Sequence, residues 1–159
     1  RAIDPASLSL VDRAARLIYL NKAGFNGLYR VNSKGRFNVP FGRHKNPTIC
    51  DEDNLRACSE VLSRSTLRCE PFETVVDAAE KGDFVYFDPP YIPLSSTANF
   101  TAYQKHGFGP DHQERLAEVF DTLHARGVSV MLSNHDVDWI HDRYADYTIH
   151  RITARRAVK

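Results

Sequence analysis

Hydrophobic positions recur along this chain with two different periods, and each marks a kind of element. Leu10, Val11, Ala14, Leu17 and Ile18 return every three or four residues, the spacing of one helical face. Asp4-Pro5 predicts the start of that helix, with proline at its first position, and Gly24 its end. Leu55, Cys58 and Leu62 mark a second helical face over residues 51–63. Leu116, Val119, Phe120 and Leu123 mark another over 111–126, stopped by Gly127. By contrast, Phe84-Val85-Tyr86-Phe87 is an unbroken apolar run between Gly82 and Pro89. Such runs predict strands buried on both faces of a parallel sheet. Val128–Leu132 reads the same way. Leu67–Glu70 and Tyr147–Ile152 predict shorter strands, and 72–79 and 136–144 further helices.

Residues 25–47 carry neither period. Asn26-Gly27, Lys34-Gly35, Phe41-Gly42 and Asn46-Pro47 predict turns there. Phe37-Asn38-Val39 fits a hairpin, and Pro40 argues against a central strand. From residue 66 the order is β-α-β-α-β-α-β, an α/β pattern with a mostly parallel sheet. The expected division is a helical and β-hairpin region over 1–65 and an α/β part over 66–159.

The length of 159 residues fits one domain, or one with a small appendage. Hydrophobic residues at 42% and charged residues at 26% exclude a disordered or collagenous chain. No apolar run approaches the roughly 18 residues of a membrane helix, so no membrane partner is expected. Nor does the start of the chain show the apolar core of a secretion signal. Cys50, Cys58 and Cys69 form no C-x-x-C pair and are odd in number, which argues against a disulfide framework or zinc site. The histidines show no ligand spacing, so no metal is expected. Together these features lead to a cytoplasmic location.

Charge changes the picture more than its sum. The 21 Lys+Arg and 20 Asp+Glu nearly cancel, yet residues 1–50 hold nine bases against two acids. Lys22, Arg30, Lys34, Arg36, Arg43 and Lys45 follow one another without an intervening acid, interleaved with Phe25, Tyr29, Phe37 and Phe41. Cations beside aromatics suit nucleic acid: cations grip phosphates or read guanine edges, and rings stack on bases or wedge between them. A solvated basic face would have the same composition. Arg151, Arg155, Arg156 and Lys159 form a second basic run.

Asp88-Pro89-Pro90-Tyr91 follows directly on the run 84–87, where ligands of open parallel sheets bind. Its chemistry suits methylation of an exocyclic base amine. Such an amine is a poor nucleophile because its lone pair is delocalised into the ring. The Asp88 carboxylate and Pro89 carbonyl can accept its protons and localise that pair, while two prolines hold both acceptors still. Tyr91 offers a face on which an extruded base can stack. No cysteine lies near, which disfavours methylation at cytosine carbon 5. The competing reading is a strand ended by a proline turn. The polar loop from Ser95 to Tyr103 is a candidate lid. Ser133-Asn134-His135-Asp136 ends the next strand at the same sheet edge; it either lines the site or caps the following helix through Asn134 or Asp136.

Two longer stretches carry a family resemblance. F-N-G-L-Y-R-V-N-x-K-G-x-F-N-V-P-F-G-R (Phe25 to Arg43) resembles the target-recognition segment of the Dam-type, D12-class adenine-N6 DNA methyltransferases. D-P-P-Y-x-P-L-S-x-T-A-N-F-T-A-Y (Asp88 to Tyr103) resembles their catalytic motif, and Leu132–Asp136 also matches. The resemblance implies a partial Rossmann-like, S-adenosylmethionine-dependent methyltransferase sheet with a helical and β-hairpin recognition region. It implies methylation of a flipped adenine in double-stranded DNA, commonly within GATC. Asp88, Pro89, Pro90 and Tyr91 would hold the adenine, with Asp88 also at the cofactor. Phe25 and Asn26 would fill or distort the duplex, Arg30 would read a guanine, and Lys34, Pro40 and Arg43 would contact DNA.

The sequence lacks the family's F-x-G-x-G cofactor loop and opens on Arg1. The expectation is a fragment missing its N-terminal part, inactive alone, or one completed by a second chain. The alternatives are a non-catalytic DNA-binding remnant, half of a split enzyme, and an RNA guanine or cytosine-amine methyltransferase.

Overall fold

Ser9, not Pro5, starts the first long helix in the computed structural model, which describes residues 3–43, 45–94 and 108–153. The Ser9 hydroxyl accepts from the Asp12 N–H at 3.1 Å and donates to the Asp12 carboxylate at 2.7 Å. This reciprocal cap fixes helix α1, Leu10–Ala23, at Leu10. Asp4 and Pro5 instead open a separate 3-10 turn, Pro5–Ser7, with the Asp4 carboxylate accepting from Ala6. The helix expected from Pro5 is thus two elements, because Ser9 offers a second capping side chain. Gly24 ends α1, as its position predicts.

The chain divides into two compact units, one running to Leu67 and one starting at Arg68. The first has a small core of Leu20, Phe37 and Val39. Most of the periodic apolar residues of α1, including Leu10, Val11 and Leu17, are exposed. Helix α2, Glu52–Leu62, capped by Asp51, buries no residue. The inward face predicted at Leu55, Cys58 and Leu62 is solvent-facing among the described residues. Two ion pairs one helical turn apart, Arg56–Glu52 and Arg64–Glu60, support α2 at its surface. Between the helices, the expected hairpin is reduced to two isolated antiparallel bridges, Gly24 with Phe41 and Val31 with Phe37. Pro40 has no N–H to give a longer ladder, and the Gly35 and Gly42 N–H groups bond Asn32 and Ala23.

The second unit holds the principal core. Helix α3, Val75–Ala78, follows a 3-10 turn, Phe72–Thr74. Strand β1, Phe84–Phe87, precedes helix α4, Pro110–Ala125, then strand β2, Ser129–Leu132, and helix α5, Asp138–Arg143. Leu116, Ala117, Val119, Phe120 and Leu123 of α4 are buried, matching the predicted stripe, and pack with Phe87, Val128, Ile140 and Tyr144. Gly127, at φ +81°, turns the chain from α4 into β2. Its N–H bonds the His124 carbonyl, and the Val128 N–H reaches back to Leu123, closing the helix end with a left-handed residue.

β1 and β2 pair in parallel, with Phe84 opposite Ser129 and Phe87 opposite Leu132. These are the only strands among the described residues. Leu67–Glu70 and Tyr147–Ile152, expected as strands, are irregular. Leu67 and Ile152 are exposed, and Tyr147 turns its ring onto Phe120 and His124 instead of joining a ladder. The expected burial of β1 on both faces is also corrected. Val85 and Phe87 turn toward the core, whereas Phe84 is 63% and Tyr86 50% exposed, with Met131 of β2 at 51% beside them. No described element covers that side. The lid candidate Ser95–Tyr103 lies outside the described residues, as do Arg155, Arg156 and Lys159. No described helix is long and apolar enough to cross a membrane.

Arg143 ties α5 to α4: its Nε donates to Glu114 at 2.9 Å and its Nη2 to Asp121 at 2.7 Å. The Tyr147 hydroxyl donates to the other Asp121 oxygen at 2.7 Å. Partial burial alone would raise the Asp121 carboxyl, but these hydrogen bonds outweigh it and hold it below its ordinary 3.8. Burial, with the Asp121 bond second, pushes Tyr147 up to about 12. A carboxyl depressed in the folded state binds fewer protons than the unfolded chain does. Its stabilisation is complete above the ordinary value and is lost as pH falls through the native one. Asp121→Asn is therefore expected to lower stability at neutral pH and flatten its fall below about pH 4, where the ordinary carboxylate range lies. Denaturant unfolding of both proteins between pH 2 and pH 7 checks this; parallel acid limbs contradict it.

Candidate active site

Register decides what lies beyond the sheet's carboxyl edge. Because Phe87 faces Leu132, the next residues, Asp88 and Ser133, face each other, and Ser133 N–H donates to the Phe87 carbonyl at 3.0 Å. The Ser133 hydroxyl then donates to Asp88 Oδ1 at 2.8 Å. Two phenols donate to that same Ser133 oxygen, Tyr91 at 2.8 Å and Tyr86 at 3.0 Å. The Asp88 side chain is exposed, and its Oδ2 has no partner among the described residues.

The backbone after Asp88 is bracketed as firmly. Gln113 of α4 is only 2% exposed, and its Nε2 donates to the Pro90 carbonyl at 2.9 Å. Its Oε1 accepts from Asn134 Nδ2 at 3.3 Å. Asn134 Oδ1 accepts from the N–H of Ile92 and of His135, both at 2.9 Å. The His135 ring meets the Ile92 carbonyl through Nδ1 and stands edge-on to Tyr91, with ring centroids 5.1 Å apart. The Pro89 carbonyl accepts nothing from the described residues. Thus the turn Asp88, Pro89, Pro90 and Tyr91 is held at several points, and Asp88 Oδ2 and Pro89 O are among the acceptors it leaves open.

Helix capping by Asn134 or Asp136 is not what these residues do. Val137 stands at the N-cap of α5 without a side-chain bond. Asn134 is engaged with Ile92, and Asp136 pairs with His141 and Arg151. The hydrogen bond from His141 holds the Asp136 carboxyl below its ordinary value.

The basic segment belongs to the first unit. Phe25 and Asn26 sit in a 3-10 turn after α1, with Asn26 at φ 52° and Gly27 at 64°. Asn21 of α1 donates to the Gly27 carbonyl, pinning this left-handed pair. Phe25 N–H donates to the Pro40 carbonyl at 2.9 Å, so Phe25 and Pro40 are neighbours, with Arg43 just beyond the Gly42 to Ala23 bond. Arg30 Nε donates to Asn38 Oδ1 at 2.9 Å, leaving Nη1, and Nη2 with only a long 3.5 Å contact to the Asn38 carbonyl. Lys34 stands in the tight turn organised by Asn32, whose side chain accepts from the N–H of Lys34 and of Arg36. All six candidates, Phe25, Asn26, Arg30, Lys34, Pro40 and Arg43, are exposed.

A family model of the D12 class N6 adenine-specific DNA methyltransferases matches residues 4–158. The chain belongs to this family. It is 49% identical over 151 residues to the type II methyltransferase M1.LlaDCHI of Lactococcus lactis subsp. cremoris, covering 94% of this chain and 53% of the relative. Identity to the type II methyltransferase M.MjaIII of Methanocaldococcus jannaschii is 47% over 149 residues, 93% of this chain and 52% of that protein. The DNA adenine methylase of Escherichia coli K12 is 40% identical over 146 residues, 92% of this chain and 52% of that protein. The chain therefore spans about half the length of the curated relatives it matches. Both the Phe25–Arg43 segment and the D-P-P-Y turn lie inside the D12 match.

Gln113 is the residue that sequence reasoning missed. The signal was present: it precedes Leu116 by three residues and Ala117 by four, on the buried stripe of α4. An amide on an apolar stripe must find partners inside, and here it bonds Pro90 and Asn134. Gln113→Leu leaves the Asn134 amide and the Pro90 carbonyl without Gln113. It is expected to cost about 1–3 kcal/mol of stability, measured by urea unfolding; an unchanged midpoint contradicts the buried bracket.

Proposed function

We propose that the protein to which this chain belongs methylates the N6 amine of adenine in double-stranded DNA, using S-adenosylmethionine. The observation that carries this reading is that Asp88 Oδ2 and Pro89 O stay open on a turn held at Asp88 Oδ1, at the Pro90 carbonyl and at the Tyr91 hydroxyl. An aromatic amine reacts when its protons are held by acceptors of fixed position, so that its lone pair is no longer drawn into the ring. The two prolines and the Gln113–Asn134 bracket hold those acceptors in place before substrate arrives. As the new C–N bond forms, the amine turns cationic and one N6 proton leaves toward Asp88 or solvent. Tyr91, clamped by Ser133 and by the His135 ring, supplies the flat face for an adenine turned out of the duplex.

The cofactor, when bound, supplies a methyl group on a sulfonium and leaves as a neutral thioether. The residues present fit one edge of such a group: Asp88 is an exposed carboxylate joined through Ser133 to Tyr86 on the uncovered face of β1. The F-x-G-x-G loop of the family is not in this sequence, so no residue here is assigned to a glycine cradle.

DNA recognition is ascribed to the first unit. Arg30 keeps guanidinium donors beyond Nε, which suits bidentate reading of guanine O6 and N7. Lys34 and Arg43 supply phosphate contacts, and Phe25 with Asn26 fills the duplex beside the displaced base. A GATC-type site agrees with one guanine-reading arginine. If all six cations from Lys22 to Lys45 meet phosphates, log affinity falls against log salt with a slope of about −5.

In the complete enzyme, Asp88→Ala is expected to abolish methyl transfer while duplex affinity in a shift assay stays near the parent. Retained transfer, or binding lost together with activity, removes the role given to Asp88. Arg30→Ala is expected to weaken discrimination at one base pair by about 1–3 kcal/mol, read from methylation of singly substituted sites. A uniform loss across all sites would make Arg30 a phosphate contact.

A further inference from the structure

The reading above needs Asp88 to present one particular oxygen, yet an exposed aspartate turns freely about two single bonds. Ser133 answers this. A serine hydroxyl has one proton to give and two lone pairs to offer. Ser133 uses all three: it donates to Asp88 Oδ1 at 2.8 Å and accepts from Tyr91 at 2.8 Å and Tyr86 at 3.0 Å. One proton arrangement satisfies this set. The carboxylate can only accept, so the serine proton goes to Asp88, and both phenols must donate to serine.

We propose that Ser133 is the positioning residue of the site, the hydroxyl that fixes Asp88 so that Oδ2 faces the reacting amine and that ties Tyr91 to the same point. The proposal rests on the methyl-transfer reading of Asp88. Three features support it. Ser133 is set by strand pairing and not by a free loop, since its N–H extends the β1–β2 ladder through the Phe87 carbonyl at 3.0 Å. Its partners come from both sides of the turn: Asp88 and Tyr91 from D-P-P-Y, and Tyr86 from the uncovered face of β1. Its neighbour Asn134 fixes the backbone at Ile92, so consecutive residues hold the acid's side chain and the turn's main chain. Tyr86 thereby gains a reason to be a tyrosine in a run otherwise made of phenylalanine and valine. Its ring lies on the open face and its hydroxyl completes the serine's coordination.

The test is single-turnover methylation by the complete enzyme, run on the parent, Ser133→Ala, Ser133→Thr and Asp88→Ala. Ser133→Ala is expected to slow transfer by about tenfold or more, or about 1.4 kcal/mol of barrier, with KM for DNA within about twofold. Ser133→Thr keeps the hydroxyl and is expected to restore the rate to within about threefold of the parent. Melting temperatures separate this from damage to the fold. If Ser133→Ala is destabilised, the threonine variant still decides, because a properly folded Ser133→Thr as slow as alanine overturns the proposal. So does a Ser133→Ala enzyme at parental rate, or one whose defect lies wholly in KM. An inactive Asp88→Ala beside a fully active Ser133→Ala sinks the positioning role alone. A fully active Asp88→Ala sinks the methyl-transfer reading itself.

Discussion

The parallel pairing of two short strands in one register is the constraint on which the site depends. Four residue pairs, from Phe84 with Ser129 to Phe87 with Leu132, suffice to set it. Parallel strands cannot be joined by a tight turn, so helix α4 makes the crossover and covers one side of the sheet. Its buried stripe holds Phe87 and Val128 in place, and Gly127 delivers the chain into β2. A slip of one residue in either strand would turn that strand's inward side chains, Phe87 of β1 or Leu132 of β2, away from the core and would separate Asp88 from Ser133. Core packing and site geometry are therefore enforced by the same interaction.

Side chains at this edge hold one another and the turn through hydrogen bonds. Gln113, Asn134, Ser133 and His135 satisfy one another and the main chain of the turn, while Asp88 Oδ2 and Pro89 O remain open. In the proposed reaction, acceptors held this firmly would need little reorganisation, which is how fixed acceptors gain over water. Further along α4, the Arg143–Asp121–Tyr147 cluster locks α5 against it with charged hydrogen bonds. That cluster stabilises the scaffold without touching the site.

The two units are stabilised differently, in keeping with what each is proposed to do. The Asp88 unit has a continuous core, as a rigid reacting centre requires. Among the described residues the basic unit's core cluster is only Leu20, Phe37 and Val39, and it rests on caps, two bridges and asparagine side-chain bonds to the main chain. Recognition surfaces are commonly built from turns on modest supports, because DNA contacts need exposed side chains. Arg30, braced by Asn38, shows how an exposed side chain is held outside a core.

Local patterns in the sequence carried much of this. The apolar stripe of α4 and the stop at Gly127 read correctly, because those side chains pack inside their own unit, and the run 84–87 read correctly as a parallel strand though not in its burial. The D-P-P-Y turn and the Phe25–Arg43 segment were legible as motifs, since proline, glycine and asparagine impose turn geometry wherever they stand. Other readings failed for one shared reason. Whether Leu55 and Leu62 are buried, whether Leu67–Glu70 pairs, and whether Phe84 is covered depend on a neighbour, and no periodicity names it. Only tertiary structure showed that Ser133 meets Asp88 across 45 residues and that Gln113 reaches Pro90. Those contacts follow from strand register and helix packing, which bring together groups whose separation along the chain carries no signal of their meeting.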